Sequence, residues 1–144
     1  MEIHALKLVV TDVDLNELAR KQLPKGAPVR NLRVRIEDGL LRVGGDYRGM
    51  LIPVPFDTAW ELSVRERRVC VRLAGVTVVG LPVNMLRGMI LSGFARLAAK
   101  EASVRVEGDT LLVDVDGLMQ AHGVLLRTNL KSIRCLPGQI VLEA

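Results

Sequence analysis

Few side chains in this sequence could do acid–base, nucleophilic or metal chemistry, and they are scattered. The histidines are His4 and His122, and the cysteines are Cys70 and Cys135. Neither histidine stands beside a serine or cysteine in a nucleophile motif. His122, just before Gly123, reads as a donor or cation at a helix C-terminus. Cys70 and Cys135 sit in strand-like runs and read as buried thiols, and a disulfide between them stays open at the level of sequence. Their number and spacing do not make a zinc site. Two acidic pairs, Asp12/Asp14 and Asp114/Asp116, offer oxygen ligands of the kind Ca²⁺ or Mg²⁺ needs. Neither belongs to an EF-hand loop, and helix capping explains both. The glycines make no phosphate loop and no dinucleotide pattern. These residues imply no catalytic group, no bound metal and no cofactor, so the chain reads as non-enzymatic.

Arginine is the prominent charge. Arg33, Arg35, Arg42, Arg48, Arg65 and Arg72 fall on outward positions of expected strands. Such a row could meet phosphates of nucleic acid or lipid. Glu37, Asp46, Asp57 and Glu61 interleave with it, and aromatic residues are only 3% of the chain. Base stacking therefore has little to work with, and a solvated Arg/Glu face is the simpler reading. The net charge of +4 permits a weak anionic partner and requires none.

The chain of 144 residues, 49% hydrophobic, suits a single domain spanning 1–144. With so few aromatics, its core must be built mainly from Val, Leu, Ile and Met. No basic stretch followed by an apolar run opens it, so the expectation is a cytoplasmic protein. No run of roughly 18 uncharged apolar residues exists to span a membrane as a helix.

The elements that must position these residues are mostly strands. Ile3–Val10 reads as the first, and Thr11 then caps a short helix ending near Gln22, before Pro24. Lys25–Pro28 reads as a loop. Leu32, Val34 and Ile36 alternate with charged residues, and Asp38-Gly39 marks a hairpin turn. The return strand carries Leu41, Val43 and Tyr47, with a bend or bulge expected at Gly44-Gly45. Pro53 and Pro55 point to an edge or corner. Trp60, Leu62 and Val64 share one face; Val69, Val71 and Leu73 follow, and then a separate short run, Val76–Val79. Past the long helix come Val104–Val106 and Leu111–Val115, then a helix capped by Asp116 and ended by Gly123. The closing strands are Val124–Cys135 and Gln139–Leu142, joined at Pro137-Gly138.

Leu81–Lys100 is the exception, an apolar helix opened near Pro82. Leu86, Met89, Ile90, Phe94 and Leu97 form its bulky stripe. Gly88, Ser92, Ala95 and Ala99 form a small face, and Arg87, Arg96 and Lys100 are its charges. So little charge predicts cover on more than one side. The bulky stripe is either core or the wall of an apolar groove, where Met suits variable ligands. Trp60, Leu86, Met89, Ile90 and Phe94 are the candidate ligand-binding residues. The small face could also allow a second copy to approach and form a homodimer.

The fold expected is α+β: about nine strands in meander order, a strongly curved antiparallel sheet wrapped on the long central helix, and two short helices. An internal echo runs through it. Leu8–Leu15 resembles Leu112–Leu118, and each is followed by a short helix and a strand–turn–strand unit.

With these segments placed, the chain resembles the LmeA-like phospholipid-binding proteins and, more loosely, the tubular lipid-binding superfamily. The resemblance lies in "TDVDLNELARKQLP" followed by "VRNLRVRIEDGLLRVGG", in "RLAGVTVVGLP" before the helix, and in "LVDVDGLMQAHGV" with "PGQIVLEA". It implies a helix cradled by a curved antiparallel sheet and lipid bound in the apolar interior, and it carries over no individual residue. The function expected is a bacterial, non-enzymatic domain that binds an apolar or lipid-like ligand at or near a membrane surface. The alternatives are an interaction module that homodimerises through its helix, and a weak electrostatic nucleic-acid binder.

Overall fold

The computed structural model describes residues 7–22, 26, 28–48, 52–121, 123–125 and 127–144. His4, His122 and the start of the expected first strand lie outside them. The described residues form β1 (Lys7–Thr11), α1 (Asp12–Gln22), β2 (Val29–Glu37), β3 (Leu40–Tyr47), β4 (Val54–Arg65) and β5 (Arg68–Val78). These are followed by α2 (Val83–Lys100), β6 (Val104–Glu107), β7 (Thr110–Val113), α3 (Val115–Ala121), β8 (Ser132–Leu136) and β9 (Gln139–Glu143). The chain is therefore α+β with antiparallel pairing, as expected.

The strands do not form one sheet wrapped on a central helix. They divide into a six-stranded sheet, β2-β3-β4-β5-β7-β6, and a three-stranded sheet, β1-β9-β8. The order departs from a meander twice. β7 rather than β6 lies beside β5, because the chain returning from α2 first lays down the edge strand. β1 pairs with β9 across nearly the whole sequence, Val9 opposite Val141. The echo between the two ends is visible in the elements, since both are strand, capped helix and hairpin. Their pairing is crossed: the first unit's strand joins the second unit's hairpin, and β7 joins the sheet that holds β2 and β3.

Local chemistry explains the element ends. Thr11 caps α1: its Oγ1 accepts from the Asp14 N–H at 3.2 Å, and the Asp14 carboxylate accepts the Thr11 N–H at 3.0 Å. That bond holds the Asp14 carboxyl below its usual range. The cap of α3 is Asp114, which accepts the Gly117 N–H at 3.1 Å, and not Asp116 as the sequence led us to expect. Asp116 is taken by a distant partner. Its Oδ1 accepts both the N–H and the hydroxyl of buried Thr128, at 3.1 and 2.9 Å. The anchor ties down the segment after α3, which apart from an isolated bridge at Arg127 forms no strand among the described residues before β8, so the expected strand Val124–Cys135 shortens to Ser132–Leu136. Gly123 ends α3 as expected. At φ 86 it donates to Gln120 O while Val124 donates to Met119 O, a Schellman closure.

The expected bulge at Gly44-Gly45 lies on the facing strand, between Arg30 and Arg33, with Asn31 at φ 55. The two glycines are there for close approach, since a Cβ on Gly45 would sit 3.0 Å from Arg30 O. Pro55 lies in β4, a central strand, opposite Asp46 of β3. Pairing with β5 begins only at Phe56, so Pro55 occupies a local edge. Val76–Val78 belongs to β5 and is not a separate strand. Pro82 sits just before α2, in extended conformation.

The largest correction concerns α2. It packs on β5 and β6 of the six-stranded sheet from one side, and Leu86 is its only fully buried residue. Gly88, Ser92, Ala95 and Ala99 are all exposed, and a Cβ on Gly88 would meet nothing within 4 Å. Small side chains add little apolar area to water, so this face stays soluble without charges.

Candidate functional site

β4 and β5 place Trp60 opposite Leu73 in register, and Leu73 is 1% exposed. The Trp60 indole N–H donates to Thr58 Oγ1 at 2.7 Å, and that buried hydroxyl donates to Val43 O at 2.7 Å. This relay satisfies the polar end of the ring and fixes its rotamer. Its apolar body meets Phe94 of α2, with centroids 5.6 Å apart and planes at 45°. Of the expected ligand residues, Leu86 is buried, whereas Trp60, Met89, Ile90 and Phe94 are half-buried. The structure brings Trp60 and Phe94 into contact across the helix–sheet seam. The seam is a half-open apolar layer flanked on α2 by exposed Val83, Met85 and Leu97.

Clefts open elsewhere, away from this seam. One of about 1000 Å³ lies between the β4–β5 turn, α3 and the segment after it, lined by Arg67, Arg68, Asp114, Asp116, Gln120 and Asn129 among others. Its two aspartates are already engaged, as cap and as anchor. Sequence reading missed this cleft because it joins residues about fifty positions apart. Two smaller ones, of about 410 and 440 Å³, lie near Cys70 and Arg33. Cys70 and Cys135 are both buried free thiols, and burial pushes the Cys135 thiol up, away from the reactive thiolate. Among the described residues no group of three His, Cys, Asp or Glu side chains could hold a metal.

The arginine row is largely self-neutralised. Arg35 and Arg42 face each other across β2 and β3, and Glu37 pairs with both. Arg42 also meets Asp57 at 3.0 Å, Arg65 meets Glu107 at 3.0 Å and Arg72 meets Glu61 at 2.9 Å. Asp109 in the β6–β7 turn joins Arg72 of β5 to Arg87 of α2, at 3.6 and 3.2 Å. The Arg42 hydrogen bond, with the charges of Arg42 and Arg35, holds the Glu37 carboxyl below its usual range. A carboxyl depressed in the folded state stabilises above its ordinary range, and that contribution is lost as pH falls through the lowered value. We expect Glu37→Gln to flatten the acid limb, so its urea midpoint falls less than that of wild type on acidification. Parallel midpoints for the two proteins would refute this.

Among the described residues no helix is long and apolar enough to cross a membrane. Compared with protein-family models, curated proteins and solved structures, the chain matches none of them.

Proposed function

We propose that this domain binds an apolar, lipid-like molecule in the seam between α2 and the six-stranded sheet, as a carrier or sensor and not as a catalyst. The observation that carries the reading is that α2, with a bulky stripe of Leu86, Met89, Ile90, Phe94 and Leu97, buries only Leu86 completely. An acyl chain against Trp60, Met89, Ile90 and Phe94 would remove apolar surface from water at about 25 cal/mol per Å².

Native mass spectrometry of the purified chain should show retained lipid. Vesicles carrying brominated acyl chains should quench Trp60, the only tryptophan. Met89→Glu places a charge in the seam and should lower retention and quenching about tenfold. No retained lipid, no quenching and no binding to anionic vesicles would overturn the proposal.

Two other readings are weaker. A homodimer through the small face of α2 would pair two wholly basic helices. An antiparallel crossing at Ser92 sets Arg87 near Arg96 of the other copy. An electrostatic nucleic-acid binder would need the arginines that Glu37, Asp57, Glu61 and Glu107 already pair.

A further inference from the structure

The six-stranded sheet has unlike ends. At one end the β2–β3 and β4–β5 hairpins turn on Asp38-Gly39 and Glu66-Arg67, so charge meets water there. At the other end the β3–β4 connection, past Arg48, has the sequence Gly49-Met50-Leu51-Ile52-Pro53. The β5–α2 connection has the sequence Val79-Gly80-Leu81-Pro82, and neither stretch holds a charge. Register sets the two side by side, since Tyr47 of β3 lies opposite Val54 of β4 and Phe56 of β4 lies opposite Val78 of β5. Ile52 and Val79 are each 74% exposed, and Val83 and Met85 of the first turn of α2 are exposed beside them. Clustered apolar side chains left in water mark an interaction surface. The charges bordering this end are exposed Arg30 and Arg48, and half-buried Asp46, whose carboxylate accepts from the Asn31 side chain at 2.9 Å. The first turn of α2 holds no acidic residue. Half-buried Tyr47, the chain's only tyrosine, ends β3 just behind the apolar turns, where ring and hydroxyl suit a boundary between hydrocarbon and water.

We propose that this end of the sheet docks on an anionic bilayer. Ile52 and Val79 enter the boundary between head groups and acyl chains, while Arg30 and Arg48 meet lipid phosphates. The apolar side chains stand on two turns, a convex shape that a fluid bilayer accommodates. A second copy seated there about a two-fold axis would bring the arginines against their own kind, whereas lipid phosphates complement them. The choice of partner rests on the lipid-binding reading of the α2 seam, and it gives that seam an orientation. α2 starts at the docking end, so its bulky stripe leads from the bilayer to the contact of Phe94 with Trp60. Trp60 lies about 20 Å along β4 from Val54. Acyl chains of the docked bilayer do not reach that far, so quenching of Trp60 reports lipid in the seam and a probe at the turns reports docking.

The whole chain should co-sediment with vesicles of equal parts phosphatidylglycerol and phosphatidylcholine, and about tenfold less with vesicles of phosphatidylcholine alone. Val79→Asp and Ile52→Asp should each weaken the association about tenfold, the effect of one aliphatic side chain kept in water. Arg48→Gln should weaken it about fivefold. In a Trp60→Phe chain, Val79→Trp should shift its emission to the blue on adding the anionic vesicles and be quenched by brominated acyl chains. Docking by a chain that retains no lipid would uphold this proposal and remove the support for the seam. Retained lipid without docking would do the reverse. A wild-type chain that stays in solution beside anionic vesicles overturns the proposal. So does association that both aspartate variants leave unchanged, equal association with the neutral vesicles, or a Val79→Trp probe that stays in water. A vesicle-indifferent wild type that sediments as a dimer, dissolved by Val79→Asp, would also overturn it and assign this end to a second copy.

Discussion

Replacing Asn16 with alanine lowers the unfolding free energy by about 2–3 kcal/mol, because two backbone groups of one strand residue lose their partner at once. The Asn16 amide stands in for a missing neighbouring strand. Its Oδ1 accepts the Val34 N–H at 2.7 Å, and its Nδ2 donates to Val34 O and to Asp12 O, both at 2.8 Å. Asn16→Asp tests this more sharply, since it keeps size and acceptor but turns a carboxylate toward two carbonyls. It should destabilise at least as much as alanine at neutral pH and recover partly on acidification, when the protonated acid regains one donor. Urea unfolding with an unchanged slope reads the effect. The freed β2 edge should also make both variants more prone to self-association. A midpoint within error of wild type for both would show that water replaces the amide at no loss.

Leu73→Ala should cost about 3 kcal/mol, in the range of buried leucine truncations. Leu73 is the largest side chain among the described residues removed completely from water, it faces Trp60 across β4 and β5, and its N–H donates to Asp109 O at 3.1 Å. That backbone bond survives the substitution, so the loss isolates packing. The vacated volume lies next to the Trp60–Phe94 pair, and Trp60 emission should broaden and shift as the ring gains freedom. Leu97→Ala on the exposed flank of α2 is the internal contrast, with an effect below about 1 kcal/mol. Both are measured on lipid-free protein, so the difference reports the core and not ligand. Equal effects at the two positions would mean that the α2–sheet layer is not packed as described.

Asn16 also shows where sequence reading stops. Nothing near it in the chain predicts its role, because Val34 is 18 positions away and an asparagine in a helix looks like surface. The Asp114/Asp116 pair shows the same limit at closer range. Either aspartate suits a cap, and the choice depends on Thr128, which claims Asp116 from 12 positions away. Low charge along α2 led to an expectation of enclosure. That inference fails because exposed Gly, Ser and Ala offer water little apolar surface, so the small face of a helix needs no cover. The grouping of Trp60 with Phe94 came from alternation along a strand and periodicity along a helix, and the fold brings the two rings together.

The sequence by itself determined many of the element ends, and which side chains share a face. Caps, turn glycines and hydrophobic period act within a few residues of the chain. The Thr11–Asp14 box, the Gly123 closure and the positive φ of Gly39 and Gly138 follow from those local rules. Only the tertiary structure decided which edges meet. β1 and β7 carry nearly the same local signals, yet one pairs with β9 and the other with β5. Strand pairing is a choice among distant segments with similar backbones. It is settled by which arrangement buries Ile36, Cys135 and Ile140 together while leaving the fewest edges open, and that is a property of the whole chain.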